Sequence, residues 1–293
     1  MSAEVPGVRT RIRALLHAQR PDLAHLPLGE VLTGWDNHMV RLGEDLVVRL
    51  PRREIAVELL ARELTWLPRI AADTGVPVPV PVHHGTAVPC VHDGPLAVLP
   101  WTAGTVALDA PPEERDRHAA ELGELLRRLH VAAPEDVPAN PAGRGGPLAG
   151  ITGRLQERLD WARQTGVLVR EPAEEAAVVV QEGLRAPAHS GPDVWIHGDP
   201  HAGNTVLGAD GPVLVDWGDL GRGDPASDLG WAWEHCSAAA RPDFWKAYGC
   251  APTAPVAIRA RAWAVHYGLI LLTADGDGRD EPRGRRLLSA ALA

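Results

Sequence analysis

Residues 194–219 read VWIHGDPHAGNTVLGADGPVLVDWGD, and this stretch decides how the rest of the chain is interpreted. It contains three short apolar runs, at residues 194–196, 205–207 and 213–215. The second and third runs are joined by a loop that contains two glycines and a proline. Apolar runs separated by such a loop predict a β-hairpin.

The register predicted for this hairpin brings two oxygen-bearing side chains together. If Asp210 is the centre of the five-residue loop, Leu207 pairs with Val213 and Asn204 pairs with Asp216. Directly opposed residues of an antiparallel pair have Cβ atoms about 5 Å apart. An amide oxygen and a carboxylate at that separation are suitable ligands for Mg²⁺.

The polar residues of the stretch follow the spacing of a kinase catalytic loop. A His-Gly-Asp triplet ends at Asp199, an asparagine follows at Asn204, and an Asp-Trp-Gly triplet begins at Asp216. Protein kinases use H-R-D-x-x-x-x-N followed by D-F-G. There the first aspartate accepts the hydroxyl proton, and the asparagine and second aspartate hold the metal ions. The spacing therefore predicts phosphoryl transfer to a hydroxyl group.

Together, residues 197–204, 216–219 and 223–229 resemble the combined motif of the aminoglycoside phosphotransferase family. Residues 33–37 are similar to the nucleotide loop of that family, and residues 45–51 to its lysine-bearing strand. The family comprises small-molecule kinases with a protein-kinase-like fold, and it includes enzymes that inactivate antibiotics. The resemblance implies Mg²⁺ as cofactor and ATP or GTP as phosphoryl donor.

The resemblance also implies a role for individual residues of this chain. The catalytic base would be Asp199, and the metal ligands would be Asn204 and Asp216. A hinge at residues 98–101 would meet the nucleotide base through its backbone, so that Val98, Leu99 and Trp101 belong to the nucleotide site. Gly34 would lie near the phosphates.

One position departs from the family pattern, because the strand that should carry the kinase lysine has none. Lys246 is the only lysine of the chain, and the matching position in LVVRLP is Arg49. Residues 54–72 predict a helix with Ile55, Leu59, Trp66 and Ile70 on its apolar face. Glu63 lies on the same face, and a buried carboxylate needs a charged partner. We therefore expect Arg49 and Glu63 to pair and to belong to the nucleotide site.

The remaining pattern predicts an α+β protein with a two-lobed protein-kinase-like fold. Residues 1–100 would form a nucleotide-binding lobe with a small antiparallel sheet and one key helix. Residues 101–293 would form a larger, mostly helical lobe for catalysis and acceptor binding. Within it, residues 112–132 and 226–239 each predict one helix, and the Pro- and Gly-rich residues 134–150 predict an exposed loop.

Composition restricts the possible partners. The chain has 29 Lys and Arg against 38 Asp and Glu, a net charge of −9, which argues against nucleic-acid binding. Three widely spaced cysteines, Cys90, Cys236 and Cys250, indicate a reducing compartment. The first 20 residues lack the apolar core of a signal peptide, and no apolar run is long enough to span a bilayer. We expect a cytoplasmic enzyme with no membrane partner.

Other functions and several acceptors remain open from the sequence. His197, Asp199, His201 and Asp216 are a plausible ligand set for a metal-dependent hydrolase. The arginine in place of the kinase lysine is compatible with a catalytically inactive nucleotide-binding module. The acceptor would be an antibiotic such as an aminoglycoside or macrolide, as in resistance by phosphorylation. In the resembled family, acidic residues of the C-terminal part often line the pocket for cationic antibiotics, which implies that Asp275, Asp277, Asp280 or Glu281 helps to attract a polycationic acceptor.

Overall fold

The computed structural model describes residues 7–34, 36–168, 170–273 and 280–293. Trp35 of the predicted nucleotide loop, together with Asp275 and Asp277 of the acidic stretch, lies outside the described residues. The chain forms two compact units. The first comprises residues 1–103 and 215–218, and the second comprises residues 104–214 and 219–293.

The first unit consists of two helices and a five-stranded antiparallel sheet. In chain order its elements are α1 (Val8–Gln19), β1 (Leu28–Thr33), β2 (Asn37–Leu42), β3 (Leu46–Pro51), α2 (Glu54–Thr74), β4 (His83–Gly85) and β5 (Leu96–Pro100). The strand order is β1-β2-β3-β5-β4. The Val-Pro repeat at residues 76–82 forms no strand, because proline cannot donate to a ladder.

Apolar side chains of the central strands alternate between the two faces of this sheet. Each face belongs to a different cluster of buried apolar side chains. Val48 and Val98 belong to a cluster with Ile12 and other residues of α1. Their sequence neighbours Val47 and Leu99 belong to a second cluster with Leu60 and Leu64 of α2. Successive side chains of a strand point to opposite faces, so one strand can contribute to both clusters.

The buried face of α2 is rotated relative to the prediction. Its buried residues are Ala56, Leu60, Glu63, Leu64, Leu67 and Ile70. Ile55 is exposed, and Leu59 and Trp66 are only half-buried. The predicted face was therefore wrong at Ile55, because the helix turns residues 60, 63, 64 and 67 toward the sheet. Glu63 remains on the buried side in either assignment.

The second unit is mostly helical and contains two small sheets. Its elements are β6 (Thr105–Val106), α3 (Pro112–Arg117), α4 (Ala119–Leu129), α5 (Thr152–Gln164), α6 (Arg170–Arg185), β7 (Val194–Ile196), β8 (Thr205–Gly208), β9 (Gly211–Leu214), β10 (Gly221–Gly223), α7 (Ala226–Leu229), α8 (Ala232–His235), α9 (Arg241–Tyr248), α10 (Pro255–Thr273) and α11 (Glu281–Leu292). The sheets are β6-β8-β9 and β7-β10. The almost entirely buried α10 packs against α5, α6, α7 and α11. The predicted α+β class is confirmed.

The predicted register of the β8–β9 hairpin is wrong by one residue. Gly208 lies opposite Gly211, and Leu207 lies opposite Pro212 rather than Val213. The connection is a two-residue turn instead of a five-residue loop, because Gly211 accepts a left-handed φ of 109° directly after it. The ladder ends at the Thr205–Leu214 pair, so the register does not place Asn204 opposite Asp216.

Two predicted helices are each divided in the structure. Residues 112–132 form α3 and α4, with a break at His118, whose φ and ψ of −95° and 7° depart from the helical values. Residues 226–239 form the short helices α7 and α8. Between them Gly230 packs so closely on α10 that an added Cβ would lie 2.9 Å from the Cβ atom of Trp263.

Candidate active site

A buried arginine joins two carboxylates in the first unit. Arg49 lies in β3, opposite Met39 of β2 and Ala97 of β5. Its Nη1 atom is 2.6 Å and 2.8 Å from the two carboxylate oxygens of Glu63 in α2. Its Nη2 atom donates to Oδ1 of Asp216 at 2.9 Å. The predicted pairing of Arg49 with Glu63 is confirmed.

The exposure of these three side chains differs sharply. The Glu63 side chain is 0% exposed and that of Arg49 is 8% exposed, whereas Asp216 is 54% exposed. Burial alone would lower the pKa of Arg49, but the charges of Glu63 and Asp216 outweigh it and raise that pKa. Arg49 is therefore a permanent cation that stabilises a fully buried carboxylate and also reaches a solvent-facing one.

Asp216 stands at the start of a strained turn. Its φ is 62°, a left-handed value that aspartate tolerates better than most residues. Two residues later, a Cβ added at Gly218 would lie 3.0 Å from the Cβ atom of Leu59, so this turn packs closely on α2. One oxygen of Asp216 binds Arg49, and its half-exposed carboxylate can also coordinate a cation from solvent.

In the second unit, a buried aspartate fixes the loop that follows β7. Asp228 is fully buried, and its carboxylate accepts the backbone N–H groups of His197 at 2.7 Å and Gly198 at 3.0 Å. Gly198 has a φ of 87°, and a Cβ there would lie 2.1 Å from the carbonyl oxygen of Asp219. Only glycine fits this position, which explains the middle residue of the His-Gly-Asp triplet.

Side-chain hydrogen bonds then orient the residues of this loop. The His197 Nδ1 atom accepts the backbone N–H of Asp199 at 3.2 Å, so this histidine braces the loop. The Asn204 Nδ2 atom donates to the carbonyl of Asp199 at 3.1 Å, which leaves the amide oxygen as the acceptor end of that side chain. An anchored amide whose oxygen is available suits a metal ligand.

An ion pair between Glu234 and Arg283 also stabilises the loop that follows β7. Glu234 accepts the Ala202 N–H at 2.9 Å and forms an ion pair with Arg283 of α11. Burial would raise the pKa of Glu234, but the hydrogen bond and charge of Arg283 lower it to about 2. Burial, helped by the charge of Arg283, lowers the pKa of His201 to about 3, so this imidazole is neutral near pH 7.

Arg144, which contacts Asp199, was not predicted from the sequence. Arg144 lies in the segment 134–150, which was predicted to be an exposed loop. Its Nη2 atom is 3.3 Å from Oδ1 of Asp199, and its Nη1 atom is 2.8 Å from Oδ2 of Asp219. The prediction was wrong for Asn140 and Gly145, which are buried. Pro and Gly content indicates irregular backbone but does not show whether that backbone is exposed.

The residues predicted to bind the nucleotide lie in the first unit. Val98 and Leu99 are both buried, on opposite faces of the sheet. Trp101 is half-buried, donates its N–H to the Asp45 carbonyl at 2.7 Å, and holds the Arg41 guanidinium 4.1 Å from its ring centre. Gly34 donates its N–H to the Asn37 carbonyl at 2.9 Å.

The remaining sequence predictions concern a metal-ligand set, an acidic stretch and membrane-spanning segments. In the part of the chain that the structure describes, no group of three or more His, Cys, Asp or Glu residues is arranged to hold a metal ion. Of the acidic stretch, Asp280 lies 3.9 Å from Arg283, and Glu281 pairs with Arg285 at 2.7 Å. No helix among the described ranges is long and apolar enough to cross a membrane.

Comparison with known proteins gives consistent matches. A model of the phosphotransferase enzyme family, APH, matches residues 28–264. The probable ketoamine kinase YniA of Escherichia coli K12 is 26% identical over 212 residues, which are 66% of this chain and 68% of that protein.

Two solved structures share the fold. The GDP complex of wild-type aminoglycoside 2'-phosphotransferase-IIIa superimposes with a TM-score of 0.72 at 19% identity, over 97% of this chain and 98% of the other. Macrolide 2'-phosphotransferase MphH from Brachybacterium faecium gives a TM-score of 0.63 at 21% identity, over 98% of both chains. These likenesses confirm the predicted kinase-like fold.

The buried pair of Arg49 and Glu63 makes a prediction about stability. Arg49→Met leaves the Glu63 carboxylate buried without its cation, and we expect it to lower the free energy of unfolding by about 3–5 kcal/mol. Adding Glu63→Leu removes that carboxylate and should recover most of the loss. Urea unfolding of the single and double variants measures both effects.

The control for this cycle is Arg69→Met, which removes an exposed pair with Asp73 one helical turn away. We expect it to change the unfolding free energy by less than about 1 kcal/mol. Additive losses from Arg49→Met and Glu63→Leu would show that the two residues do not act as one pair.

Glu234 makes a prediction about pH. Its pKa in the folded chain, about 2, lies below the ordinary value of 4.5, so its contribution is complete above pH 4.5 and is lost as pH falls toward 2. Glu234→Gln should lower the unfolding free energy by about 3 kcal/mol at pH 7 and by about 1 kcal/mol at pH 3. Urea unfolding at both pH values tests this. A difference that is constant with pH would contradict it.

Proposed function

Because this chain belongs to the phosphotransferase enzyme family, APH, we propose that it transfers the γ-phosphoryl group of ATP or GTP to a hydroxyl group of a small molecule. Membership in this family confirms the resemblance noted in the sequence and identifies the chain as a small-molecule kinase rather than a hydrolase. The observation that carries the proposal is the ion pairing of Arg49 with both Glu63 and Asp216.

This ion-pair cluster has the form that a kinase needs to bind phosphates. In protein kinases a cation on the third strand pairs with a glutamate of the following helix, next to the metal-binding aspartate. Arg49 lies on β3, Glu63 on α2, and Asp216 opens the Asp-Trp-Gly triplet. An arginine fork can contact a carboxylate and a phosphate together, so the missing lysine does not remove the cation. This supports an active enzyme over an inactive nucleotide-binding module.

The proposed ligands of Mg²⁺ are Asn204 and Asp216. Asn204 is anchored through its nitrogen, and Asp216 offers a half-exposed carboxylate, so both present hard oxygen donors. Held by these residues, Mg²⁺ would supply positive charge that offsets the negative charge of the transferred phosphoryl group. In this proposal Arg49 keeps the Asp216 carboxylate oriented before any ion arrives.

Asp199 is proposed as the base. The acceptor hydroxyl gives its proton to the Asp199 carboxylate, and its oxygen forms the new bond to the γ-phosphorus. The bond from that phosphorus to the nucleoside diphosphate breaks, and the diphosphate leaves with the electron pair. Backbone N–H groups of the loop donate to the side chains of Asp228 and His197, and these hydrogen bonds hold the loop in place for this transfer.

The nucleotide base is proposed to lie against residues 98–101, with Gly34 near the phosphates. The Val98 carbonyl accepts from Val82, whereas the Trp101 N–H donates to Asp45 on the other edge of β5. Backbone groups of successive residues alternate between the two edges of a strand, so the Pro100 carbonyl lies on the same edge of β5 as the Val98 carbonyl. The last pair between β4 and this edge is His83–Val98, so Pro100 lies beyond the end of that pairing. A carbonyl at this position can accept a hydrogen bond from the exocyclic amino group of adenine.

Several acceptors are compatible with this chemistry. Similar proteins are named for aminoglycosides, a macrolide or a ketoamine. The net charge of −9 favours a cationic acceptor such as an aminoglycoside, and phosphorylation of that acceptor would confer antibiotic resistance. We propose an antibiotic of these classes as the first candidate and a ketoamine as the second.

The partners follow from the same proposal. They are a nucleoside triphosphate and a small-molecule acceptor, with no nucleic acid and no membrane. Cys90, Cys236 and Cys250 are all free thiols, which supports a cytoplasmic location, where thiols stay reduced and nucleoside triphosphates are available.

The proposed function is tested by a phosphorylation screen. Purified protein is incubated with Mg²⁺, ATP or GTP, and kanamycin, gentamicin, streptomycin, a macrolide or a ketoamine. New phosphoester signals are then followed by ³¹P NMR. We expect at least one acceptor to be phosphorylated, and Asp199→Asn to lower kcat at least about 100-fold because the base is removed. Folding and nucleotide affinity should be almost unchanged. Turnover near the wild-type rate in Asp199→Asn would contradict the assignment of the base.

The metal ligands are tested by binding. Asp216→Ala should abolish the part of nucleotide affinity that depends on Mg²⁺, and Asn204→Ala should weaken it, because each removes an oxygen donor. Isothermal titration with a non-hydrolysable nucleotide, with and without Mg²⁺, measures the difference. Asp243→Ala, in the exposed first turn of α9, is the control. Unchanged metal dependence in both site variants would show that the ligands are misassigned.

A further inference from the structure

A cavity of about 180 Å³ lies in the second unit, beside the loop that carries Asp199. Its walls come from α3, α8 and α11, and Ala202 of the loop completes them. A cavity of about 150 Å³ holds one benzene ring, so this one has room for a small organic molecule. None of its side chains takes part in the phosphoryl transfer described above.

The wall formed by α8 is attached to the loop. Glu234 accepts the Ala202 N–H at 2.9 Å, and the His235 Nε2 atom donates to the Pro200 carbonyl at 2.9 Å. Pro200 and Ala202 follow Asp199 by one and three residues in the sequence. A ligand in the cavity would therefore lie against side chains that hold the loop of the proposed base.

The carboxylates of the cavity wall already have partners. Glu234 accepts from Nη2 of Arg283 at 3.0 Å, so its charge is neutralised by an ion pair. Asp116 accepts the Ser237 N–H at 2.8 Å. Among the residues that the structure describes, Asp116 is thus the only carboxylate of this wall without an ion pair.

Two arginines of the same wall keep donors without partners. Nη1 of Arg115 donates to the Ala110 carbonyl at 3.0 Å, but its Nε atom is buried and has no hydrogen-bond partner among the described residues. Arg286 lines the cavity from α11 and forms no hydrogen bond or ion pair with another described residue. A buried donor without a partner is costly, and an oxyanion would satisfy it.

We propose that this cavity binds a small molecule with an oxyanion, a carboxylate or a phosphate monoester, through Arg115 and Arg286. A guanidinium group binds such oxyanions with paired, charge-assisted hydrogen bonds. Trp233 and Leu287 line the same cavity and supply apolar surface for the carbon part of the ligand. The unpaired charge of the wall is positive although the chain carries a net charge of −9, so the cavity itself selects an anion.

The oxyanion can come from two sources. It is a group of the phosphoryl acceptor, or it belongs to a separate molecule that acts on the enzyme through the attached loop. Binding in the cavity does not depend on the proposed function, whereas an effect on turnover rests on it. Binding and turnover are therefore measured separately.

Binding is measured by NMR titration without nucleotide, with phenyl phosphate as the anionic probe and benzyl alcohol as a neutral probe. The signals followed are the indole N–H of Trp233, assigned by its loss in Trp233→Phe, and the amide of Ala202. We expect phenyl phosphate to shift both signals and benzyl alcohol to bind at least about tenfold more weakly. Arg115→Gln and Arg286→Gln should each weaken phenyl phosphate binding at least about tenfold, because each removes a charge-assisted hydrogen bond.

The control is Arg117→Gln, an exposed arginine of α3 that does not line the cavity, and its affinity should stay within about twofold of wild type. Arg286 has no partner among the described residues to lose, so Arg286→Gln should fold even if Arg115→Gln does not. Unchanged affinity in folded Arg286→Gln, or wild-type signals of Trp233 and Ala202 that phenyl phosphate does not move, would overturn the inference.

Steady-state kinetics with an acceptor from the phosphorylation screen distinguish the two sources. If the oxyanion is a group of the acceptor, Arg286→Gln should raise the acceptor KM at least about tenfold, and phenyl phosphate should compete with the acceptor. If it belongs to a separate molecule, the acceptor KM should stay within about twofold and phenyl phosphate should change kcat. If wild type phosphorylates no acceptor, the proposed function fails instead, and the NMR titration still decides whether the cavity binds an oxyanion.

Discussion

The fully buried carboxylate of Glu63 is the constraint on which the first unit depends. A carboxylate without solvent is costly unless a cation accompanies it, and Arg49 is that cation. The pair fixes α2 against β3, and the second arm of Arg49 fixes the turn at Asp216. One guanidinium thus connects a strand, a helix and a chain segment more than 160 residues away in sequence.

In the second unit, three further carboxylate sites of the described residues are paired with arginine. Arg144 joins Asp199 to Asp219, Arg259 binds both oxygens of Asp224, and Arg283 binds Glu234. Lysine is a point charge, whereas the planar guanidinium presents donors in two directions and can bridge two acceptors. In a chain with one lysine among its 29 basic residues, every buried ion pair named above therefore uses the arginine fork.

Features of the fold and the site that depend on local spacing could be predicted from the sequence. Features that depend on contacts between distant parts of the chain could not. The sequence predicted the Asp199–Asn204–Asp216 motif from the order and spacing of its residues. It also predicted the carboxylate on the buried side of α2, because that position follows from helical periodicity. The hairpin register was wrong because a glycine at 211 permits a tighter turn than the loop composition indicated. Arg144 was missed because its position depends on Asn140 and Gly145, which contact residues 219–227 only in the folded chain.

The central claim is that Arg49 takes the place of the kinase lysine, and the single lysine of the chain allows a direct measurement. Lys246 is exposed on α9, so Lys246→Arg gives a protein without any lysine. Isothermal titration of this variant with Mg²⁺ and a non-hydrolysable ATP analogue should give the wild-type affinity. Adding Arg49→Met should weaken binding at least about tenfold, since a charge-assisted hydrogen bond contributes about 1.5–3 kcal/mol. Lost affinity in the lysine-free protein, or unchanged affinity after Arg49→Met, would contradict the account.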